Sequence, residues 1–450
     1  MNKRKATRHT SRLEVRYLSI EGLKSNAKNT RAHSDKQIGQ IARSIEAFGP
    51  IVPVLIDRSS QVISGHGRIL AAKLLGLTEV PTICVEHLTE AQAKAFAIAD
   101  NKLTENSTWN TDLLGEQLKA LSEVELDFDL EVTGFEMAEI DLLIEGLAPA
   151  AESDSDPADE VPDTVEQLVS RPNDLWLLGR HTISCGDSRD TRCYSLVMEG
   201  RKADLVFTDP PYNVRIAGHA TGLGAIQHKN FKMAAGEMSE GEFTDFLARV
   251  FNQLAHHTAD GSLHYVFMDW RHAREILTAG KQAYTELKNV IVWVKDNGGM
   301  GSLYRSQHEL IFLFKNGKEC HRNNVQLGQF GRYRTNVWNY PGANSFSRKT
   351  GEGNLLELHP TVKPVTLVAD AIMDSSARGD IVLDPFLGSG TTVIAAERTG
   401  RVCYGIEFDP LYVDTIVRRW QKFTGLSATH ADSGRSFNEL EKEVTDEQRQ

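Results

Sequence analysis

Cysteine is scarce in this chain. The five among 450 residues (Cys84, Cys185, Cys193, Cys320 and Cys403) are scattered, with no C-x-x-C pair. Such usage supports neither a disulfide framework nor a zinc site and fits a reducing compartment, so no metal and a cytoplasmic location are expected. The neighbours Cys320 and His321 lack distant partner ligands at any recognisable spacing. No apolar run approaches the roughly 20 residues of a membrane-spanning helix, so no membrane association is expected. The basic, polar start from Met1 to Arg12 has no apolar stretch of a secretory signal. Internal repeats are absent too. Positive charge is in deficit: 50 Lys and Arg against 61 Asp and Glu give a formal net charge of −11. Taken alone that total disfavours a nucleic-acid partner, but it describes solubility and steering, and a basic face can sit within it.

The length is enough for two or three domains. After a basic tail (residues 1–11), Val15 to Leu18 reads as a short strand. Ser34 to Ile45 reads as a Ser-capped helix with Ile38, Ile41, Ala42 and Ile45 on one face. Strands at 52–56 and 62–64 precede Gly65-His66-Gly67-Arg68 and a second helix. Glycines before a helix let the backbone approach an anion, which makes Gly65 and Arg68 a candidate phosphate or nucleotide site. A strand-to-helix turn needing positive φ accounts for the glycines equally well.

Asn29-Thr30-Arg31, Asp35, Ser44-Ile45, Gly49, Pro53-Val54, Gly65 to Arg68, Ala71-Ala72 and Val80-Pro81 together resemble the amino-terminal domain of ParB-type partition proteins. The resemblance implies an α+β domain over residues 12–90 and CTP as its ligand. The family's Gly-Glu-Arg-Arg motif is matched here only at Gly65 and Arg68. Residues 91–147 read as a helical extension, a buttress. Then Glu152, Asp154, Asp156, Asp159, Glu160 and Asp163 fall among Ser, Pro and Ala. A segment with so little to bury reads as a solvated acidic linker, residues 148–170.

Residues 171–428 alternate strand and helix, which predicts a mostly parallel sheet with helices on both faces, an α/β Rossmann-like fold; a polar tail, 429–450, follows. In such sheets ligands bind beyond the carboxyl ends of the strands. Two loops sit there. Ile381-Val382-Leu383 runs into Asp384-Pro385-Phe386-Leu387-Gly388-Ser389-Gly390-Thr391-Thr392 and an alanine-rich helix. Gly388 and Gly390 allow close backbone approach, and Thr391 opens a helix whose free amides favour an anion. Some twenty residues on, Glu407 is placed to accept from ribose hydroxyls, so a nucleoside-bearing cofactor is expected. The other loop, Thr208-Asp209-Pro210-Pro211-Tyr212, ends a second apolar run. Two prolines stiffen it and leave the Pro210 carbonyl free to accept. Asp209 and that carbonyl suit the two hydrogens of an exocyclic amine, and the Tyr212 ring suits a flipped base.

Together the two loops resemble the amino-methyltransferases of DNA in the permuted motif order called the beta class. The resemblance implies S-adenosylmethionine as cofactor, with Phe386, Gly388 and Gly390 lining its pocket, Glu407 on the ribose and Asp187 at the adenine edge. His359-Pro360-Thr361-Val362-Lys363-Pro364 matches the motif before the cofactor loop and implies that Thr361 and Lys363 reach the methionine carboxylate. Residues 315–358 stand where the family has its target-recognition segment. They offer Arg322, Arg332, Arg334, Arg348 and Lys349 as DNA contacts among interleaved aromatics; a solvated loop over core aromatics is the plainer reading. The reading as a whole is a DNA methyltransferase acting on adenine N6 in double-stranded DNA, with a homodimer as the expected assembly. Cytosine N4 is the near alternative, and a non-catalytic ParB-like DNA-binding regulator the distant one.

Overall fold

The computed structural model describes residues 12–26, 30–147, 156–162, 168–214, 236–296, 298, 303–342 and 363–447. Arg348, Lys349 and Thr361 lie outside them. The chain divides into two units, residues 1–148 and 149–450. Among the described residues no helix is long and apolar enough to cross a membrane.

The first unit is a four-stranded sheet of β1 (Val15–Ser19), β2 (Val54–Ile56), β3 (Val62–Ser64) and β4 (Glu79–Cys84), in the order β1-β4-β2-β3. Strand β4 is invisible to sequence pattern because it contains Pro81, which has no N–H for a ladder; here Pro81 lies opposite Tyr17. Val54, Ile56, Val62, Ile69, Ala72 and Val80 form the core. Helix α1 (Asp35–Phe48) starts as expected, with the Ser34 side chain accepting from the Gln37 amide. Helix α2 (His66–Leu74) opens from Gly65, whose φ of +104° is left-handed. A Cβ there would press on Val54 at 3.2 Å, so the turn alone demands glycine. Helix α3 (Glu90–Glu105) buries none of its residues. The stripe Ala91, Ala95, Ile98 therefore stays on the surface, and its ties are polar: Ser64 donates to Asp100 and Arg31 to Asn101. Helices α4 (Thr111–Ser122) and α5 (Met137–Glu145) pack together and complete the unit.

The second unit is a ten-stranded sheet between two helical layers. Its strands are β5 (Leu175–Leu178), β6 (His181–Cys185), β7 (Ala203–Thr208), β8 (Thr258–Met268), β9 (Glu286–Val294), β10 (His308–Lys315), β11 (Val337–Asn339), β12 (Ile381–Asp384), β13 (Val402–Glu407) and β14 (Thr429–His430). They are ordered β11-β9-β10-β8-β7-β12-β13-β6-β5-β14. The central run β8-β7-β12-β13-β6 is parallel throughout, and antiparallel strands extend it on both sides. Strand alternation sorts the core. Val206, Val266 and Leu383 face α6 (Thr191–Met198), α7 (Glu240–His257) and α8 (Ala273–Ala283). Leu205, Phe207 and Val382 face α9 (Val365–Ser375), α10 (Thr391–Thr399) and α11 (Pro410–Thr424). From β7 the chain crosses to β8 on one side, and from β12 to β13 on the other. The topological switch point therefore falls between β7 and β12, where such sheets hold ligands.

Two expectations about the ends of this unit need correction. The acidic segment is not a solvated linker along its whole length. Ala158 and Asp159 are buried; Asp159 accepts from the Val365 amide at 2.8 Å, Asp156 pairs with Arg398, and Glu160 pairs with Lys422. Its carboxylates meet basic groups and a helix amide: Asp159 is buried on its donor, while the Glu160 pair with Lys422 stays at the surface. The polar tail likewise contributes β14 and a last helix, α12 (Phe437–Glu447), whose Phe437 is fully buried against Trp176 at 5.2 Å between rings.

Candidate active site

The carboxyl ends of β7 and β12 are tied together by one buried carboxylate. Thr208 donates to Asp384 Oδ1 at 2.8 Å, Thr392 at the start of α10 donates to Oδ2 at 2.6 Å, and the Phe386 amide donates to Oδ1 at 3.0 Å. Burial pushes the Asp384 carboxyl up to about 6 against those three donors. Asp384, expected among the cofactor contacts, is thus spent inside the protein and shapes the crevice from beneath.

Above it stands Asp209. Its Oδ1 lies 2.6 Å from the Tyr212 hydroxyl and its Oδ2 lies 2.6 Å from Lys363 Nζ. Pro210 is buried and Pro211 half-buried, so the stiff turn holds both groups in place. Asn213 closes it, with φ +53° and its side chain bonded to the amides of Gly236 and Met238. A second carboxylate, Glu309 on β10, was not foreseen: its Oε2 lies 2.9 Å from the Tyr212 hydroxyl and 3.2 Å from Lys363 Nζ, and its Oε1 accepts from Lys295, just past the end of β9. Two carboxylates face two ammonium groups, roofed by aromatic rings: Lys363 Nζ is 4.9 Å from the centre of Phe267 and Lys295 Nζ 4.6 Å from that of Trp293. Burial raises the Asp209 carboxyl, and Lys363 only partly offsets this. Burial also works against ionised Glu309, but Lys363 and Lys295 more than reverse it and hold its carboxyl at about 2. The Tyr212 phenol, buried beside both acids, stays protonated. Lys363 was expected at the methionine carboxylate; with 5% of its surface exposed, it is instead ion-paired to Asp209 and Glu309.

The candidate cofactor residues line up along neighbouring strand ends: Phe386 and Gly388 after β12, Glu407 at the end of β13, Asp187 after β6. The Gly388 amide donates to Glu407 Oε2 at 2.8 Å and the Asp409 amide to Oε1 at 2.9 Å. Burial still pushes the Glu407 carboxyl up to about 7. Gly390 begins α10 with φ +82°, and a Cβ there would stand 2.9 Å from Ile416. Thr391 is buried, its hydroxyl accepting from Arg419 at 3.1 Å. The same guanidinium donates to the Ser389 and Ala158 carbonyls, so the docked acidic segment reaches the underside of this loop. Asp187 is paired with Arg189 at 2.7 Å, and burial of its carboxyl is outweighed by those bonds.

The row suits an elongated nucleoside with a charged tail: a helix N-terminus, an aromatic ring at Phe386 and a carboxylate at Glu407 follow one another along the edge that begins at Asp209.

The expected DNA arginines need correction. Arg332 is 6% exposed and sits 2.9 Å from Asp374 and 3.2 Å from Asp370. Arg334 pairs with the same two aspartates at 3.1 and 3.2 Å, and stacks over Trp338 and Tyr340. Asp370 and Asp374 are one turn apart on α9, so the two guanidiniums clamp the segment before β11 onto that helix. Arg322 is half-buried, and its charge acts on Asp204 and Asp380 near the amino ends of β7 and β12, away from the crevice. In the first unit, Gly65 and Arg68 both lie at the start of α2.

Comparison with known proteins adds a family to this geometry. Residues 203–418 match the DNA methylase family, residues 4–102 the ParB N-terminal domain, and residues 112–172 the ParB-methyltransferase helix-turn-helix domain. The ParB-like nuclease domain-containing protein YnaK of Escherichia coli (strain K12) is 40% identical over 83 residues, 18% of this chain and 95% of YnaK. Type II methyltransferase M2.MboI of Moraxella bovis is 27% identical over 231 residues, 49% of this chain and 81% of that protein. The crystal structure of the M1.HpyAVI-SAM complex is similar over 53% of this chain and 98% of that one, at 24% identity and a TM-score of 0.37.

Proposed function

Because this chain belongs to the DNA methylases, carried behind a ParB N-terminal domain and a ParB-methyltransferase helix-turn-helix domain, we propose that it methylates the exocyclic N6 of adenine in double-stranded DNA. The observation that carries this reading is Asp209, held by the Pro210-Pro211 turn at the switch-point crevice with Tyr212 and Lys363 on its two oxygens.

S-adenosylmethionine, when bound, supplies an electrophilic methyl on its sulfonium. Phe386, Gly388, Glu407 and Asp187 would hold it along the strand ends, with Glu407 accepting from the ribose. The target base, flipped out of the duplex, would lie on the Tyr212 ring. Asp209 and the Pro210 carbonyl would take the two amine hydrogens. That draws the nitrogen lone pair out of ring conjugation and disperses the positive charge growing on the amine during transfer. Asp209 need not be a strong base, since the methylated amine loses its proton readily. An acid at this motif position favours adenine, since related enzymes acting on cytosine N4 often carry serine there.

Incubation with labelled S-adenosylmethionine and unmethylated DNA, followed by identification of the modified nucleoside, separates the readings. N6-methyladenine is expected. N4-methylcytosine would replace the substrate, and no transfer would favour a non-catalytic regulator. Asp209→Ala is expected to abolish transfer while cofactor binding survives; normal turnover in that variant would sink the mechanism.

A further inference from the structure

Resting on this reading of the site, we infer that Glu309 is a positioning residue that receives whichever of the Tyr212 hydroxyl and the Lys363 ammonium the target amine displaces from Asp209. Both oxygens of Asp209 are engaged without substrate, by the Tyr212 hydroxyl on one and Lys363 on the other, each at 2.6 Å. A phenol has one proton and donates to one acceptor at a time. Glu309 Oε2 already stands 2.9 Å from that hydroxyl and 3.2 Å from Lys363 Nζ. The displaced donor can therefore pass from Asp209 to Glu309 by a small rotation, and it is not left unsatisfied in a buried place, where a missing partner costs most. Lys295, bound to the other oxygen of Glu309, keeps that acceptor charged at the moment it is needed.

The charge pattern also ties Glu309 to the ionisation of Asp209. The groups facing Asp209 are Tyr212 on its own loop, Glu309 on β10, Lys363 ahead of α9 and Asp384 at the end of β12; Lys295, just past β9, reaches it through Glu309. Glu309 opposes ionisation of Asp209 and Lys363 favours it. Removing the Glu309 charge must then ease ionisation of Asp209, while removing Lys295 leaves the Glu309 charge less balanced and must hinder it.

Glu309→Gln keeps the shape but not the charge, and Lys295→Met does the converse to its balance. With the full chain, labelled S-adenosylmethionine and unmethylated DNA, Glu309→Gln is expected to lower kcat by roughly tenfold or more with little change in KM for the cofactor. The acid limb of its pH–rate profile should move to lower pH by up to about one unit. In Lys295→Met the limb should move the other way. Opposite shifts are what loss of packing alone would not produce. Unshifted limbs with wild-type kcat, or shifts in the same direction, would overturn the role of Glu309. An inactive wild type would instead refute the proposed reaction.

Discussion

Glu407 offers a test that needs no DNA. Its carboxyl is buried at the end of β13, accepts amides from Gly388 and Asp409, and titrates near 7. If its charged form is what accepts the ribose hydroxyls, cofactor affinity must fall as pH falls through that value. For a single group that must be ionised to bind, the apparent Kd rises by 1 + 10^(pKa − pH). With a pKa of about 7 that factor is about 1.1 at pH 8, about 2 at pH 7 and about 11 at pH 6. Affinity should therefore drop roughly tenfold between pH 8 and pH 6, or about 1.4 kcal/mol. The cofactor has an amine of its own that titrates near neutrality, so the reference is Glu407→Gln measured at the same pH values. In that variant the side-chain amide turns its own N–H toward a backbone N–H, and binding should be weak throughout. The ratio of variant to wild-type Kd, from calorimetry or equilibrium dialysis, should shrink about tenfold from pH 8 to pH 6. A constant ratio would refute the assignment of Glu407. The cofactor-free protein should respond with the opposite sign. A carboxyl raised from 4.5 to about 7 contributes stability that is fully present below its unfolded value and lost as pH rises through 7, so acidification tightens this corner of the fold while loosening its ligand.

Two further outcomes concern structure. Arg332→Met strips one of the two guanidiniums from buried Asp374, leaving Arg334, and should cost about 1.5–3 kcal/mol in urea unfolding; weakened DNA binding at unchanged stability would restore Arg332 to the DNA face. Phe437→Ala should cost about 3–5 kcal/mol, because the ring it removes fills a fully enclosed place beside Trp176. Wild-type stability in that variant would return residues 429–450 to the status of a polar tail.

The central strands and both loops were legible because each apolar run stops on its motif: Leu205 to Phe207 on Thr208-Asp209, Ile381 to Leu383 on Asp384. A local window holds everything such a pattern needs. The charge network around Asp209 has no local signature. Lys295 and Glu309, 14 residues apart, lie far along the chain from Tyr212 and from Lys363, and only the pairing of β10 with β8 and β9 brings them beside Tyr212. Glu309, read alone, is merely an acid at the start of an apolar strand. Position in the sheet is not written in any local pattern, and position is what makes Glu309 part of the site.

The misreadings share one physical cause. Composition assigns charge to solvent unless a partner is near in sequence, and here the partners are distant. Arg332 and Arg334 looked basic because the carboxylates that neutralise them, Asp370 and Asp374, arrive on α9 some forty residues later. Asp156, Asp159 and Glu160 looked solvated because Arg398, the Val365 amide and Lys422 come more than two hundred residues later. That second error matters for mechanism. The docked segment touches the protein at two places that bear on the site: the first turn of α9, two residues after Lys363, and Arg419 under the cofactor loop at Ser389 and Thr391. Asp159, raised by burial to about 6, keeps its hold on the Val365 amide whether or not it is charged, but its attraction for Arg419 depends on ionisation. The segment that joins the two units is thereby part of the framework that sets Lys363 against Asp209.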